Sequence, residues 1–134
     1  MTSLSPHINF NGRCREALNY YRSCFGGETS FMTIGESPVP IPEPGSPADH
    51  IMHGELKVDS FTIMGSDMGP QQVNGAISVV VTCSGKAEMD KAFDGLSKDG
   101  SVFCPVGPAF WGGLFGVTTD KFGVTWMLHL PDGS

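Results

Sequence analysis

Residues 5–27 read SPHINFNGRCREALNYYRSCFGG, and the way this stretch divides decides the fold. Ile8 and Phe10 alternate with His7 and Asn9, the period of a strand, so Ser5 to Phe10 is expected to be extended. Asn11 and Gly12 then offer a helix start. Cys14, Ala17, Leu18, Tyr21 and Phe25 recur at helical spacing as one apolar stripe, and Gly26-Gly27 supplies the stop. A strand that hands directly to an amphipathic helix is the opening of a βα unit. The rest of the chain shows how that unit is completed.

Thr29 to Ile34 reads as a second strand. The stretch GESPVPIPEPGSPAD then carries five prolines, at positions 38, 40, 42, 44 and 47, and is expected to be an excursion loop because proline cannot donate to a ladder. HIMHGELKVDSFTIMGSD predicts a hairpin turning at Asp59-Ser60. MGPQQVNG is a polar link. AISVVVTC is a strand, Ser84 a candidate N-cap, and Met89, Ala92, Phe93 and Leu96 mark a second amphipathic helix closed near Gly100. SVFCPV, GGLFGVTTD and GVTWMLHL follow as three strands, with DKFG turning between the last two.

The order is β-α-β-β-β, twice, which prompts a search for internal repetition. Gly27 and Gly100, the two helix stops, lie 73 positions apart, whereas SFTIM and GVTWM lie 63 apart. The difference falls where the proline-rich excursion lengthens the first half. The expected class is therefore α+β: two βαβββ modules, about 1–67 and 74–131, forming a curled eight-stranded mixed sheet around a cleft, with helices on the outer face. The whole is expected to be a single domain over 1–134.

Composition narrows the function. A chain of 134 residues suffices for one well-buried domain, and its 18 glycines and 10 prolines favour short elements with many turns over a helical bundle. A net charge of −6 and the lack of any basic run argue against nucleic acid as a partner. No apolar run approaches membrane-spanning length, and no export leader is read at the start. Cys14, Cys24, Cys83 and Cys104 form no CxxC pair and are read as reduced, small core residues of a cytoplasmic protein.

Alternation sorts each strand into two faces. Ile8, Phe10, Leu56, Val58, Phe61, Ile63, Val124, Trp126 and Leu128 are expected to pack under the helices. The opposite faces hold His7, Asn9, Ile51, His53, Glu55, Thr62, Met64, Thr125, Met127 and His129. A solvated sheet surface would read this way, but the methionine and histidine content favours a pocket lining. Phe110, Trp111 and Phe115, in PAFWGGLFG, are candidates either for ligand contact or for packing against a second subunit. Trp126 reads as core, His50 as a loop-edge residue and His129 as solvated. The candidate ligand-binding set is His7, Asn9, His53, Glu55, Thr62, Met64, Trp111, Phe115, Thr125 and Met127.

INFNGRCREALNYYRSCFGGE, DHIMHGELKV and FWGGLFGVTTDKFGVTWMLHL together resemble the vicinal oxygen chelate superfamily of glyoxalase, bleomycin-resistance and dioxygenase proteins, and within it the PhnB-like branch. The resemblance implies paired βαβββ modules around a cleft, and homodimers. Some members of this branch are labelled demethylubiquinone methyltransferases; this sequence lacks the glycine-rich strand-to-helix turn of nucleotide-binding folds and gives that label no support.

In the superfamily's metal-using members the ligands are His, Gln or Glu on the first and last strands of each module. Carried over, those positions fall on His7, Met64, Met127 and a residue near Ile77. One hard donor in four positions cannot cage a divalent ion, so no metal and no cofactor are expected. The expected function is small-molecule binding without a catalytic metal. Two other readings stand beside it. One is an enzyme: a metal-dependent lyase, isomerase or dioxygenase using His7, His53 and Glu55, or a metal-free catalyst with His53 or Glu55 as general base. The other is a dimeric module with a vestigial cleft.

Overall fold

The computed structural model describes residues 4–36, 47–67 and 77–132. The chain divides into two compact units, 1–72 and 73–134. The first contains β1 (His7–Asn9), α1 (Cys14–Phe25), β2 (Glu28–Thr33), a 3-10 turn (Ile34–Glu36), β3 (Ile51–Val58) and β4 (Phe61–Ser66). The second contains β5 (Val79–Thr82), α2 (Lys86–Ser97), β6 (Ser101–Pro108), β7 (Leu114–Thr119) and β8 (Thr125–Leu130). The expected β-α-β-β-β order thus occurs twice. Its eight strands form two open four-stranded sheets, ordered β1-β4-β3-β2 and β5-β8-β7-β6. Both are mixed, because β1 pairs parallel with β4 and β5 parallel with β8 while the other pairs are antiparallel.

Each helix buries its apolar stripe on one face of its own sheet. From α1 these are Cys14, Ala17, Leu18, Tyr21 and Cys24; from α2, Met89, Ala92, Phe93 and Leu96. Beneath them lie Leu56 and Ile63 in the first unit and Trp126 and Leu128 in the second, all fully buried. Phe25 meets Phe61 edge-on, with ring centroids 5.7 Å apart, which ties the end of α1 to β4. Trp126, read as core, is core: its indole N–H donates to Asp120 Oδ2 at 2.8 Å.

The internal duplication is visible in the ladders. His7 faces Met64 across β1 and β4, and Val80 faces Met127 across β5 and β8, which reproduces the two spacings of 73 and 63. The helix stops match as well. A Cβ on Gly27 would sit 2.2 Å from the Lys57 carbonyl oxygen, and one on Gly100 would sit 2.2 Å from the Thr119 carbonyl oxygen. In both units the chain leaving the helix presses against the end of the third strand, where only glycine fits.

Several expectations are corrected. The first strand is shorter than Ser5–Phe10, although pairing continues on either side: the Met64 N–H donates to the Pro6 carbonyl and the Phe10 N–H to the Ser66 carbonyl. Ile51, expected beside His53, is instead core, 1% exposed. Thr33 pairs with Ile51 while Met32 pairs with His53, so Met52 is an extra residue that shifts the alternation. Ser84 is not the N-cap; Gly85 holds that position, and the Ser84 hydroxyl donates to Glu88 at 2.8 Å. The position opposite Met127 is Val80, not Ile77, which precedes β5 and is exposed.

The proline-rich excursion lies largely outside the described residues, as does the whole of the link MGPQQVNG. The base of the excursion is closed: the Ile34 N–H donates to the His50 carbonyl at 2.8 Å and the Gly35 N–H to the Ala48 carbonyl at 2.9 Å. His50 is half-buried at this edge, with its ring against Gly12.

Candidate functional site

In the first unit the face of the sheet turned away from α1 gathers six of the expected site residues. Cross-strand register places His7, Met64, Glu55 and Ser30 in one row across β1, β4, β3 and β2. Thr62 lies two positions from Met64 on β4, and is paired with Lys57. His53 lies two positions from Glu55 on β3, and its Nε2 is 3.1 Å from Glu55 Oε1. Asn9 faces Ser66, and its side-chain oxygen accepts from the Asn11 N–H at 3.0 Å, which commits part of that amide to the turn into α1.

This register bears on the enzyme reading that drew a metal to His7, His53 and Glu55. His7 and Glu55 both flank Met64, so two strand spacings, about 10 Å, separate their backbones. Among the described residues no three His, Cys, Asp or Glu side chains come together as a metal-holding group. His53 and Glu55 meet; His7 does not join them.

In the second unit the corresponding face carries an aromatic cluster. The Trp111 indole N–H donates to His129 Nε2 at 3.2 Å, so this imidazole is the acceptor at Nε2 and carries its proton on Nδ1. The Trp111 ring also meets Phe110 (centroids 4.7 Å, 86°) and Phe115 (5.0 Å, 71°). Phe115 is the direct partner of His129 across β7 and β8. Phe110 and Trp111 remain 96% and 52% exposed. His129, read as merely solvated, therefore fixes the orientation of Trp111. Met127 faces Val117 and Val80, while Thr125 shares a 3.0 Å hydrogen bond with Thr119 and is engaged within the sheet.

Two buried carboxylates escaped the sequence reading, and both are structural. Asp67, just past β4, accepts from the N–H groups of Gly12 (2.7 Å) and Cys14 (2.9 Å) at Oδ1 and of Ile51 (2.8 Å) at Oδ2. It caps α1 from outside the local sequence, where Asn11 and Gly12 were expected to start the helix; Arg13 holds the N-cap position without a side-chain bond. Asp120 binds the N–H groups of Phe122 and Val124 and the Trp126 indole. The only signal in the sequence was an acid directly after a strand. Burial, reinforced by Asp67, pushes the Cys14 thiol up to about 12, and burial, reinforced by Glu88, pushes Cys83 up to about 11. Neither is a nucleophile at neutral pH. All four cysteines are free.

Two four-stranded mixed sheets, each under one helix and each with a polar or aromatic opposite face, define a glyoxalase-like α+β fold. The chain belongs to the PhnB-like family described as 3-demethylubiquinone-9 3-methyltransferase, whose model matches residues 2–129. It is 37% identical to protein PA1353 from Pseudomonas aeruginosa, with 98% of each chain covered and a TM-score of 0.85. It is 28% identical to a putative 3-demethylubiquinone-9 3-methyltransferase, PhnB protein, from Bacillus cereus, over 96% of this chain and 99% of that one (TM-score 0.75). Protein YjdN of Escherichia coli K12 is 29% identical over 95% of this chain and 94% of its own. A remoter likeness to the fosfomycin resistance protein FosX from Listeria monocytogenes, 10% identical over 99% and 92% of the two chains (TM-score 0.63), concerns the fold alone. Among the described residues no helix is long and apolar enough to cross a membrane.

Proposed function

We propose that this protein binds a small amphipathic molecule without a resident divalent metal, using the sheet faces turned away from the helices. Each unit offers its own candidate surface: His7, Asn9, His53, Glu55, Thr62 and Met64 on the sheet face of the first, and Trp111, Phe115, Thr125 and Met127 on that of the second. The observation that carries the reading is Trp111. Its N–H is satisfied by His129, its orientation is set by Phe110 and Phe115, and half of its surface still faces outward. An oriented, exposed indole is a stacking platform. The side chains opposite one another across the parallel pairs are His7 with Met64 and Val80 with Met127, which offer one imidazole and two thioethers, a set too soft and too sparse for Zn, Mn, Ni or Fe. The methyl transfer named in the family's description is not part of this reading, because the turns from strand to helix, NGR and SG, lack the glycine pattern that cradles a nucleotide cofactor.

A thermal-shift screen of aromatic and carboxylate-bearing small molecules, followed by titration of the best binder, tests the proposal. Aromatic contacts contribute roughly 0.5–1.5 kcal/mol beyond area burial. Trp111→Ala is therefore expected to weaken binding about tenfold while leaving circular dichroism unchanged. Equal affinity in the variant overturns the role of Trp111. A stoichiometric Zn, Mn, Ni or Fe content in untagged protein that disappears in His7→Ala overturns the metal-free site. We also propose that the protein is a homodimer, as PhnB-like geometry implies; light scattering is expected to give twice the 14.3 kDa chain mass, and a monomer at micromolar concentration rejects it.

A further inference from the structure

We infer that the loop leading into β7 is a site for a small organic cation, an ammonium group carrying alkyl substituents. Residues 109–113 close the turn between β6 and β7: the Ala109 N–H donates to the Gly113 carbonyl and the Gly112 N–H to the Ala109 carbonyl, each at 3.0 Å. A Cβ on Gly113 would sit 2.1 Å from the Leu130 carbonyl oxygen, so the loop is pressed onto the end of β8. That approach brings the Trp111 ring to the His129 ring, with centroids 6.0 Å apart, and their hydrogen bond holds the indole there. Phe110 and Phe115 meet the indole at 86° and 71°. Rings set so steeply to one another build an aromatic corner instead of a flat stack, and Phe110 and Trp111 leave this one open to solvent.

The charge beside the corner selects the guest. Asp132 lies two residues beyond the end of β8, and a Cβ on Gly112 would sit 2.3 Å from its Oδ2. This carboxylate therefore rests against the backbone of the residue that follows Trp111. It is exposed, and among the described residues it has no hydrogen-bond or ion-pair partner. The indole N–H is already given to His129, so Trp111 offers a guest its π face and not a donor. A π face attracts a cation held within about 6 Å of the ring centre, and indole does so most strongly. Alkyl groups on the nitrogen match the apolar rings, while the charge is balanced by Asp132. An anion would meet the carboxylate and a chain of net charge −6, and a neutral guest would leave the carboxylate unused. The inference rests on the reading of Trp111 as a stacking platform and adds the class of its guest.

The test titrates the full chain with choline and, in parallel, with 3,3-dimethylbutan-1-ol, its uncharged carbon isostere, and follows the indole N–H signals by NMR. A saturable shift of the Trp111 signal is expected with choline, while the buried Trp126 signal stays in place. The isostere is expected to bind about tenfold more weakly, because it keeps the shape and loses the charge. Trp111→Ala, read on the Phe115 ring signals, is expected to weaken choline about tenfold. Asp132→Asn, a change of an exposed side chain, is expected to weaken choline about threefold in dilute buffer and to flatten its dependence on salt. Choline that leaves the Trp111 signal unmoved, an isostere that binds as well as choline, or an Asp132→Asn variant with unchanged affinity and salt dependence overturns the inference. So does light scattering in which Trp111→Ala turns a dimer into monomers while choline has no effect, since a second copy of the chain then covers the corner. The comparison of choline with its isostere uses the unaltered protein, so it decides even where a variant fails to fold. Failure with choline beside a neutral aromatic binder that still requires Trp111 rejects the cation and leaves the stacking platform standing.

Discussion

Asp67 directs both carboxylate oxygens at backbone N–H groups of three segments: the turn into α1, the first residue of α1 and the start of β3. Each buried donor left without an acceptor costs about 1–3 kcal/mol. Asp67→Ala strands two of them, the N–H groups of Cys14 and Ile51, and leaves the more open Gly12 N–H to water, so a loss of at least about 2 kcal/mol is expected in urea unfolding. A variant within about 0.5 kcal/mol of the parent rejects this account, since that is the scatter of inconsequential surface changes. No local pattern announces the role of Asp67, because its partners lie up to 55 positions away. The pairing of Trp111 with His129, 18 positions apart, was hidden for the same reason. His7 and Met64 were legible as residues of one face because alternation alone places them there.

At the scale of elements, period and punctuation were read well. α1 runs from Cys14 to Phe25, as its apolar stripe predicts, and the hairpin turns at Asp59-Ser60. The misreading at Ile51 followed from the bulge at Met52, which no periodicity encodes because it depends on how β2 is registered against β3. The paired helix stops make a graded prediction. Gly27→Ala and Gly100→Ala each drive a methyl into a carbonyl oxygen, and overpacking of this kind costs roughly 1–3 kcal/mol. Gly27 also has φ +92°, which an L side chain tolerates poorly, so Gly27→Ala is expected to be the more damaging of the two. Thermal melts in which Gly100→Ala falls lower than Gly27→Ala contradict this ordering.

For the molecule as a whole, the buried thiols set an alkaline limit. The Cys14 and Cys83 pKa values are raised in the fold, from 9.0 to about 12 and about 11, so an unfolded chain ionises these thiols first. Their stabilising effect is complete below pH 9 and is lost as pH climbs from 9 through 11 to 12. Under reducing conditions the urea midpoint is expected to fall across that range, and less steeply in Cys83→Ala; identical slopes sink the assignment. The sequence by itself determined the twice-repeated βαβββ order and the faces of the strands apart from the start of β3, because alternation, helical spacing and turn residues act over neighbours a few positions apart. Only the tertiary structure decided that the eight strands form two four-stranded sheets, that Asp67 caps α1, that Val80 stands opposite Met127 and that His129 holds Trp111. These are outcomes of register and burial, which bring together residues the chain keeps far apart.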